Sequence, residues 1–269
     1  MRALFLFLAL LLLSPPFAEA ATFDFSPWGR LLERHLSENR EIHAIPANTL
    51  DYQALAGEAG QPGGDWQTLL RQLETFNPAA ISDRNERMAF WINIYNIAAI
   101  KTILDHWPVD SIRSRSINWL KSPWKTEIIT VGGRRYSLHQ IEFDQLVEGF
   151  HDLRAHLGIN CASTSCVDLL PVPFSGPELD RQLQQQGERL ANQPAKGLAI
   201  DMDRRLVRIS RIFDFDAEHF DAWAGGGIRF LLPYVRDPKA RAFLESGNYR
   251  VEFLDYDWTL NDTRLSRTP

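Results

Sequence analysis

The two cysteines of the chain, Cys161 and Cys166, lie in one segment of small polar residues. A turn of small residues can expose a thiol, and backbone N–H groups or the start of a helix can stabilise its thiolate. His156 precedes Cys161 by five residues and is the candidate proton acceptor. Side chains five positions apart on a strand point to opposite faces. The segment therefore predicts nucleophilic thiol chemistry, provided that the chain turns sharply between the two side chains.

The same sulfurs are open to other interpretations. Cysteines this close in sequence can form a disulfide that only stabilises the fold, if their Cα atoms come within reach. A free Cys161 can instead capture a small thiol such as glutathione, or line a site that binds a peptide without catalysis. A histidine or cysteine recurs every five residues from His151 to Cys166. Structural zinc sites use closer cysteine pairs, so no metal and no cofactor is predicted.

The composition describes a folded protein with a large core. The chain has 269 residues, of which 45% are hydrophobic and 23% charged, proportions typical of folded domains and too apolar for disorder. A net charge of −5 gives no electrostatic reason to expect nucleic-acid binding. After residue 20, no segment is apolar enough to span a membrane. The composition therefore favours a globular protein that binds no nucleic acid. A peptide or a small thiol is the possible ligand that the cysteine segment suggests.

Residues 1–20 have the features of a secretory signal. One Arg precedes an apolar run at 3–13, two prolines follow, and Ala18-Glu19-Ala20 forms an A-x-A cleavage site. The run is too short to span a bilayer, which needs about 20 apolar residues. The sequence predicts cleavage after Ala20 and a periplasmic or secreted location, where disulfides can form.

Capping residues and hydrophobic periodicity predict the elements that must position the cysteine segment. A helix over residues 82–107 is apolar on almost every side, so we expect it at the centre of the fold. Two hairpins are predicted, over residues 126–137 and 198–210, each around a tight turn. The other expected elements are an N-terminal helix through Arg40, a helix opening at Ser137, a short β-like segment at 156–160 and a final strand at 249–256.

The order of these elements predicts one α+β domain, with a small antiparallel sheet packed among helices. The chain has no internal repeat, low-complexity tract or clean linker. We expect residues 21–84 to form an N-terminal helical region and residues 85–261 to form the core of the same domain. Residues 262–269 should form a C-terminal tail.

Five motifs follow one another along the chain and resemble the successive signatures of the DUF547 family. They are FWINIYN at 90–96, Gly132-Gly133 with SLxxIE at 137–142, HLGINCASTSC at 156–166, SxIF at 210–213 and LDYDWTLN at 254–261. The resemblance covers residues 85–261 and implies a fold shared with secreted bacterial proteins and a site centred on a thiol. The function of the family is unknown, so the reaction has to be predicted from the residues.

The resemblance assigns the working sulfur to Cys161, which aligns with the firmest cysteine of the family pattern. Some members of the family have Ser at the position of Cys166, and apolar packing is expected to raise the pKa of that thiol. Two departures from the pattern matter: Phe143 stands where the family has His, and Val167 where it commonly has Pro. No role of that His can therefore be transferred to this chain.

The predicted site is papain-like or transglutaminase-like. Cys161 attacks a carbonyl carbon and His156 moves the protons. Glu142 is expected to orient His156, although a Glu at that position can equally form a salt bridge or a helix cap. Backbone N–H groups near Ala162 are expected to stabilise the oxyanion.

The predicted binding residues surround this thiol. They are Asn93, Asn96, Ala162, Ser163, Ser165 and Cys166. The two asparagines interrupt an apolar helix, and buried amides need partners, so they bind either the backbone of the Cys161 segment or a substrate. The sequence thus predicts thiol-dependent acyl transfer or hydrolysis of an amide or peptide. A non-catalytic binding module and a protein stapled by a disulfide are the alternatives.

Overall fold

The computed structural model describes residues 21–118 and 122–268, so the predicted signal segment lies outside the described residues. Its N-terminal region contains α1 (Ser26–His35), β1 (Leu36–Ile42), β2 (Ile45–Leu50), α2 (Tyr52–Ala59) and α3 (Asp65–Thr75). The β1–β2 hairpin corrects the prediction of a purely helical region with a first helix through Arg40. In β1, Glu41 exchanges backbone hydrogen bonds of 3.0 and 2.9 Å with Arg267. The pairing of Glu41 with Arg267 cannot be predicted from neighbouring residues, because the two are far apart in sequence. It outweighs the local helix preference of the β1 residues.

The central helix, α4 (Arg84–Leu104), agrees with the prediction. The Asp83 carboxylate caps its start by accepting the Glu86 backbone N–H at 2.8 Å. Every residue from 88 to 100 is buried, including Trp91, which is 4% exposed. A helix covered on all sides forms the middle of the core, and the remaining elements pack around it.

The first half of the site is built on a hairpin that follows α4. Strands β3 (Glu127–Val131) and β4 (Arg134–Ser137) pair antiparallel, as predicted. The turn needs a glycine at Gly132, where φ is +57° and a Cβ atom would lie 2.8 Å from the Phe76 carbonyl oxygen.

A helical segment follows β4 and carries Glu142. Ser137 and Gln140 form the predicted capping box, because each backbone N–H donates to the side chain of the other residue, at 2.9 and 3.2 Å. The segment is a π-helix over Gln140–Val147 and continues as α5 (Glu148–Phe150). Such wide turns are rare and are frequently found at functional sites.

The prediction of a β-like segment at 156–160 is wrong. The structure has a 3-10 helix at Leu153–Leu157, whose first turn is capped by the Asp152 carboxylate, accepting the Arg154 backbone N–H at 3.0 Å. A loop then runs from Gly158 past both cysteines. The 3-10 helix followed by this loop supplies the bend that a site containing His156 and Cys161 requires.

The C-terminal part of the chain completes the core with a second group of small elements. They are α6 (Leu179–Ala191), β5 (Leu198–Asp201), β6 (Leu206–Ile209), α7 (Ile212–Phe215), α8 (Ala217–His219), α9 (Gly227–Leu231), α10 (Pro238–Ser246) and β7 (Arg250–Phe253). Strands β5 and β6 form the second predicted hairpin, whereas β7 pairs parallel to β6. The prediction of an antiparallel sheet therefore fails for β7, since the helices between β6 and β7 return the chain in the same direction.

Small sheets among helices confirm the predicted α+β class. Within the described residues there are two two-stranded sheets and one three-stranded sheet. One continuous cluster of buried apolar side chains extends from Phe23, through α4, to Leu260. None of the helices in the described ranges is long and apolar enough to cross a membrane.

Candidate active site

A cavity of about 410 Å³ brings four of the predicted residues together. Cys161, Cys166, His156 and Glu142 all line it. Much of the remaining wall is aromatic: Tyr95, Trp124, Phe143, Phe215, Tyr256 and Trp258. A concave, largely apolar cavity with a few converging polar groups is the usual form of a binding or active site.

Two asparagines hold the loop that carries the cysteines. Asn96, on α4, accepts the Asn160 backbone N–H at 2.7 Å and donates to the Gly158 carbonyl at 3.0 Å. The Asn160 side chain then accepts the Ala162 N–H at 2.8 Å and donates to the Val167 carbonyl at 2.6 Å. Asn96 thus takes the first of its two predicted roles, since it binds the loop backbone and does not line the cavity.

The two sulfur atoms lie side by side at the cavity. Cys161 Sγ is 3.3 Å from Cys166 Sγ, well beyond a disulfide bond of about 2.05 Å, so both are free thiols. The backbone N–H of Cys161 donates to Cys166 Sγ at 3.2 Å. Cys161 Sγ also contacts the hydroxyls of Ser163 at 3.1 Å and Tyr256 at 3.3 Å. The alternative of a structural disulfide is therefore not found in this structure.

The thiol pair shares its protons unequally. The hydrogen bond that Cys161 donates lowers the pKa of Cys166 to about 7, although burial opposes this. The same hydrogen bond, together with burial, raises the pKa of Cys161 well above its ordinary value. Because the residues are equally buried, 7% and 6% exposed, apolar packing does not single out Cys166. Burial does raise the pKa of Cys166, as expected, but the hydrogen bonds from Cys161 outweigh it.

His156 is held between two carboxylates. Its Nε2 lies 2.8 Å from Asp216 Oδ2, and its Nδ1 lies 3.5 Å from Glu142 Oε1. The ring also packs against Phe220, with the ring centroids 5.1 Å apart. The structure has no hydrogen bond between His156 and Cys161 among the described residues, although both line the cavity. Nδ1 is the ring nitrogen with the longer carboxylate contact.

Asp216 was not identified from the sequence, although it is the closest partner of His156. Its second oxygen, Oδ1, lies 2.5 Å from His219 Nδ1, and His219 Nε2 lies 2.7 Å from Glu148 Oε1. Burial disfavours the Asp216 carboxylate, but the hydrogen bonds from His156 and His219 outweigh burial and hold its pKa below the usual range. The hydrogen bond with Asp216 likewise raises the pKa of His219. Asp216 therefore stays ionised and fixes the imidazole.

Glu142 differs from Asp216 in the direction of its pKa shift. Burial raises the pKa of Glu142, although His156 and the hydroxyl of Tyr95 favour its carboxylate. A carboxyl group of this kind can hold or release a proton nearer neutral pH than an ordinary Glu. The predicted orienting role of Glu142 is thus shared, with Asp216 making the shorter contact to His156.

The remaining predicted residues have structural partners. Asn93 donates to the Phe174 carbonyl at 2.8 Å and accepts the Phe174 N–H at 3.0 Å, away from the cavity. Ser165 Oγ accepts the Asp257 N–H at 2.9 Å. The Ala162 N–H is already bonded to Asn160, as described above. The N–H groups of Cys161 and Ala162 are therefore engaged within the loop.

Tyr256 provides a donor that was not predicted from the sequence. Its hydroxyl lies 3.3 Å from Cys161 Sγ and 3.0 Å from Ser163 Oγ. Burial, followed by the nearby sulfurs, raises the pKa of Tyr256 well above its ordinary value, so the hydroxyl keeps its proton. Tyr256 belongs to the motif at 254–261, but only the folded chain shows that its hydroxyl contacts a thiol 95 positions away.

Within residues 21–118 and 122–268, no group of three or more His, Cys, Asp or Glu side chains is arranged to hold a metal ion. His151, the first member of the regular series, instead packs against Trp223 with ring centroids 3.8 Å apart. The described site thus consists of a thiol pair and a histidine held by carboxylates.

Fold and site together define an α+β protein with a thiol–imidazole cavity. Residues 78–190 match the family described as "Protein of unknown function, DUF547". This match confirms the resemblance to DUF547 and covers α4, Glu142, His156 and the cysteine loop. Asp216 and Tyr256 lie beyond the matched residues. No curated protein and no solved structure matches the chain, so the likeness to papain or transglutaminase stays a prediction.

Proposed function

We propose that this protein is a thiol-dependent acyltransferase or hydrolase of amides or peptides, with Cys161 as its nucleophile. The observation that carries the proposal is the cavity shared by the thiol pair and by His156, whose Nε2 lies 2.8 Å from Asp216. A nucleophile, a proton carrier and an orienting carboxylate are the parts that acyl transfer requires. The signal-like segment at 1–20 supports a periplasmic or secreted site of action.

The thiol pair activates the nucleophile. The Cys161 S–H lies 3.3 Å from Cys166 Sγ, whose pKa of about 7 leaves a substantial thiolate fraction at neutral pH. As Cys161 Sγ bonds to the substrate carbonyl carbon, its proton passes to the Cys166 thiolate. Cys166 thus acts as the proton acceptor for the attack.

The tetrahedral intermediate needs one donor for its oxygen and one proton for its leaving group. Tyr256, beside Cys161 Sγ, carries a protonated hydroxyl that can donate to the developing oxyanion. The imidazolium form of His156 donates the Nδ1 proton to the leaving amine, and a thioester on Cys161 results. The neutral imidazole then takes a proton from water or from a second acyl acceptor as that molecule attacks the thioester. The C–S bond breaks, and the departing Cys161 sulfur takes back its proton from Cys166, which restores the Cys161 thiol and the Cys166 thiolate.

Stable capture of a small thiol is less well supported. A mixed disulfide on one cysteine would lie next to the other thiol, because the two sulfurs are 3.3 Å apart. A neighbouring thiol expels the captured group by exchange, and so shortens the life of such an adduct. The geometry therefore favours a transient bond over a lasting one.

The experiment uses p-nitrophenyl acetate as the substrate and the reduced protein without its predicted signal segment, residues 1–20. We expect release of p-nitrophenolate and an acetyl group on Cys161, located by peptide mass mapping. The acetyl adduct should be absent in Cys161→Ser. The steady-state rate in His156→Ala should fall by roughly 10²-fold or more, the usual contribution of a general base, because the attack of water on the acetyl thioester needs the imidazole.

His139→Ala is the matched control, because His139 lines the same cavity but packs against Phe143. We expect it to change the rate less than tenfold, in line with an imidazole outside the proton path. Equal acetylation of wild type and Cys161→Ser would contradict the proposal. Acetylation that persists in Cys161→Ser and disappears in Cys166→Ser would move the nucleophile to Cys166.

A further inference from the structure

We propose that the Cys161–Cys166 pair is also a two-electron redox site, which reduces hydrogen peroxide and forms a reversible disulfide. This activity does not depend on acyl transfer, because it requires only the two sulfurs and a small oxidant. It rests on the juxtaposition of two free thiols, 3.3 Å apart, that both line one cavity.

The geometry allows the bond with little rearrangement. The sulfurs would have to approach by about 1.2 Å to reach the length of a disulfide. The Cys166 backbone N–H donates to the Ser163 carbonyl at 3.2 Å, which closes the loop between the cysteines into a turn. The Cys161 N–H donates to Cys166 Sγ, which keeps the second sulfur next to the first residue. The loop thus holds the thiols at reacting distance before any oxidant arrives.

The reaction consumes two thiols and one hydrogen peroxide, and it forms one disulfide and two waters. The Cys166 thiolate attacks one peroxide oxygen, the O–O bond breaks, and the leaving hydroxide takes a proton to become water. This step leaves a sulfenic acid on Cys166. Cys161 Sγ then attacks the Cys166 sulfur, and the hydroxyl leaves as a second water with the Cys161 proton. Two electrons pass from the sulfurs to the peroxide, and an external thiol reduces the disulfide again.

The environment assigns different roles to the two sulfurs. Cys166 Sγ accepts both an S–H and a backbone N–H from Cys161, so the negative charge of the pair is best held there. Its lowered pKa, about 7, agrees with this assignment. Cys161 keeps its proton and is the resolving thiol. Because the chain has only two cysteines, no other intramolecular disulfide can compete.

The proposal has a consequence for the acyl-transfer site. The sulfur of Cys161 is bonded to Cys166 in the disulfide and cannot attack a carbonyl. Peroxide should therefore switch off the p-nitrophenyl acetate reaction, and a reducing agent should restore it. Acyl transfer and oxidation are measured separately, so either can fail while the other is observed.

The experiment treats the reduced protein with one equivalent of hydrogen peroxide at pH 7 and follows intact mass and free thiols. We expect loss of two hydrogen atoms, loss of both thiols, a Cys161–Cys166 disulfide in the peptide map, and full recovery with dithiothreitol. Cys161→Ser should instead keep a sulfenic acid on Cys166, trapped by dimedone. Cys166→Ser should react roughly tenfold more slowly, because a lone thiol with a pKa near 8.5 is only slightly ionised at pH 7.

Three results would overturn the proposal: thiols that survive excess peroxide in the wild type, a disulfide that forms only between two molecules, or direct conversion to a sulfinic acid. All three results are measured on the wild type, so none of them depends on whether a variant folds. Cys161→Ala is a second variant that tests the resolving role, and it too should accumulate the trapped sulfenic acid.

Discussion

Buried polar side chains have different kinds of partners in α4 and in the cavity beside it. In α4, Asn93 and Asn96 are bonded to the backbone of neighbouring segments, and neither lines the cavity. In the cavity, the thiols contact each other and two hydroxyls, while His156 lies between two carboxylates. Side chains that bond mainly to one another at an open wall can exchange those partners for a substrate.

This contrast separates residues that build the site from residues that can react. A polar side chain in an apolar helix is conspicuous in the sequence, yet Asn93 and Asn96 act as anchors. The reactive arrangement depends on Asp216 and Tyr256, which come from segments that pack onto the cysteine loop late in the chain. Polarity in a buried position therefore identifies a need for partners, whereas access to a cavity identifies a capacity for chemistry.

The largest effect is expected for Trp91→Ala. Trp91 is 4% exposed in the centre of the core, so its loss should lower the free energy of unfolding by about 3–5 kcal/mol. Trp124→Ala is the matched control, because Trp124 is half-buried in the cavity wall and should cost less than about 2 kcal/mol. Urea unfolding monitored by circular dichroism measures both. Equal losses would mean that the cavity wall is as much a part of the core as α4.

The second effect compares the two asparagines of α4. Asn96→Ala and Asn93→Ala should each lower the free energy of unfolding by about 1–3 kcal/mol, because each leaves buried backbone groups without a partner. Only Asn96→Ala should also change the pH dependence of cysteine alkylation, since Asn96 holds Asn160 next to Cys161. An unchanged alkylation profile in Asn96→Ala would show that the thiol pair does not need this anchor.

The third effect concerns the division of charge between the thiols. Alkylation of the wild type by iodoacetamide should rise with pH through about 7, as Cys166 loses its proton. In Cys166→Ser the midpoint should move towards about 8.5, and the rate at pH 7 should fall roughly tenfold. Cys161→Ser removes the S–H donor and should also raise the midpoint of Cys166. A wild-type midpoint near 8.5 would refute the unequal sharing of protons.

The smallest effect is expected for His219→Gln, a change to the histidine that contacts Asp216. The pKa of His219 is raised by Asp216, so its protonated form stabilises the fold below the unfolded pKa of about 6.5. This contribution is lost as the pH rises through the raised pKa. We expect a loss of about 0.2–1 kcal/mol at pH 5.5, and less at pH 8.5, as for a partly exposed ion pair.

His139→Gln serves as the control for that measurement, since His139 forms no ion pair among the described residues. Thermal unfolding at the two pH values is sufficient to compare the variants. A loss in His219→Gln that does not depend on pH would show that the ring acts through packing alone.

Local signals allowed part of the fold to be predicted from the sequence. The long apolar run, the capping box at Ser137 and Gln140, and both glycine- or aspartate-centred hairpins are local in sequence, and each is found in the structure. The motifs also identified Cys161, His156 and Glu142, which all line the cavity. Residue type and short-range spacing were sufficient for these features, because their hydrogen bonds close within a few positions.

Tertiary structure alone decided the partners across the cavity. Asp216 reaches His156 over 60 positions, and Tyr256 reaches Cys161 over 95. The parallel pairing of β7 and the backbone bonds between Glu41 and Arg267 depend equally on distant segments. The pKa of Cys166 follows from one S–H and one N–H that the folded loop directs at its sulfur. The sequence identifies the candidate cysteines, but only packing between distant segments determines which sulfur of the pair has the lower pKa.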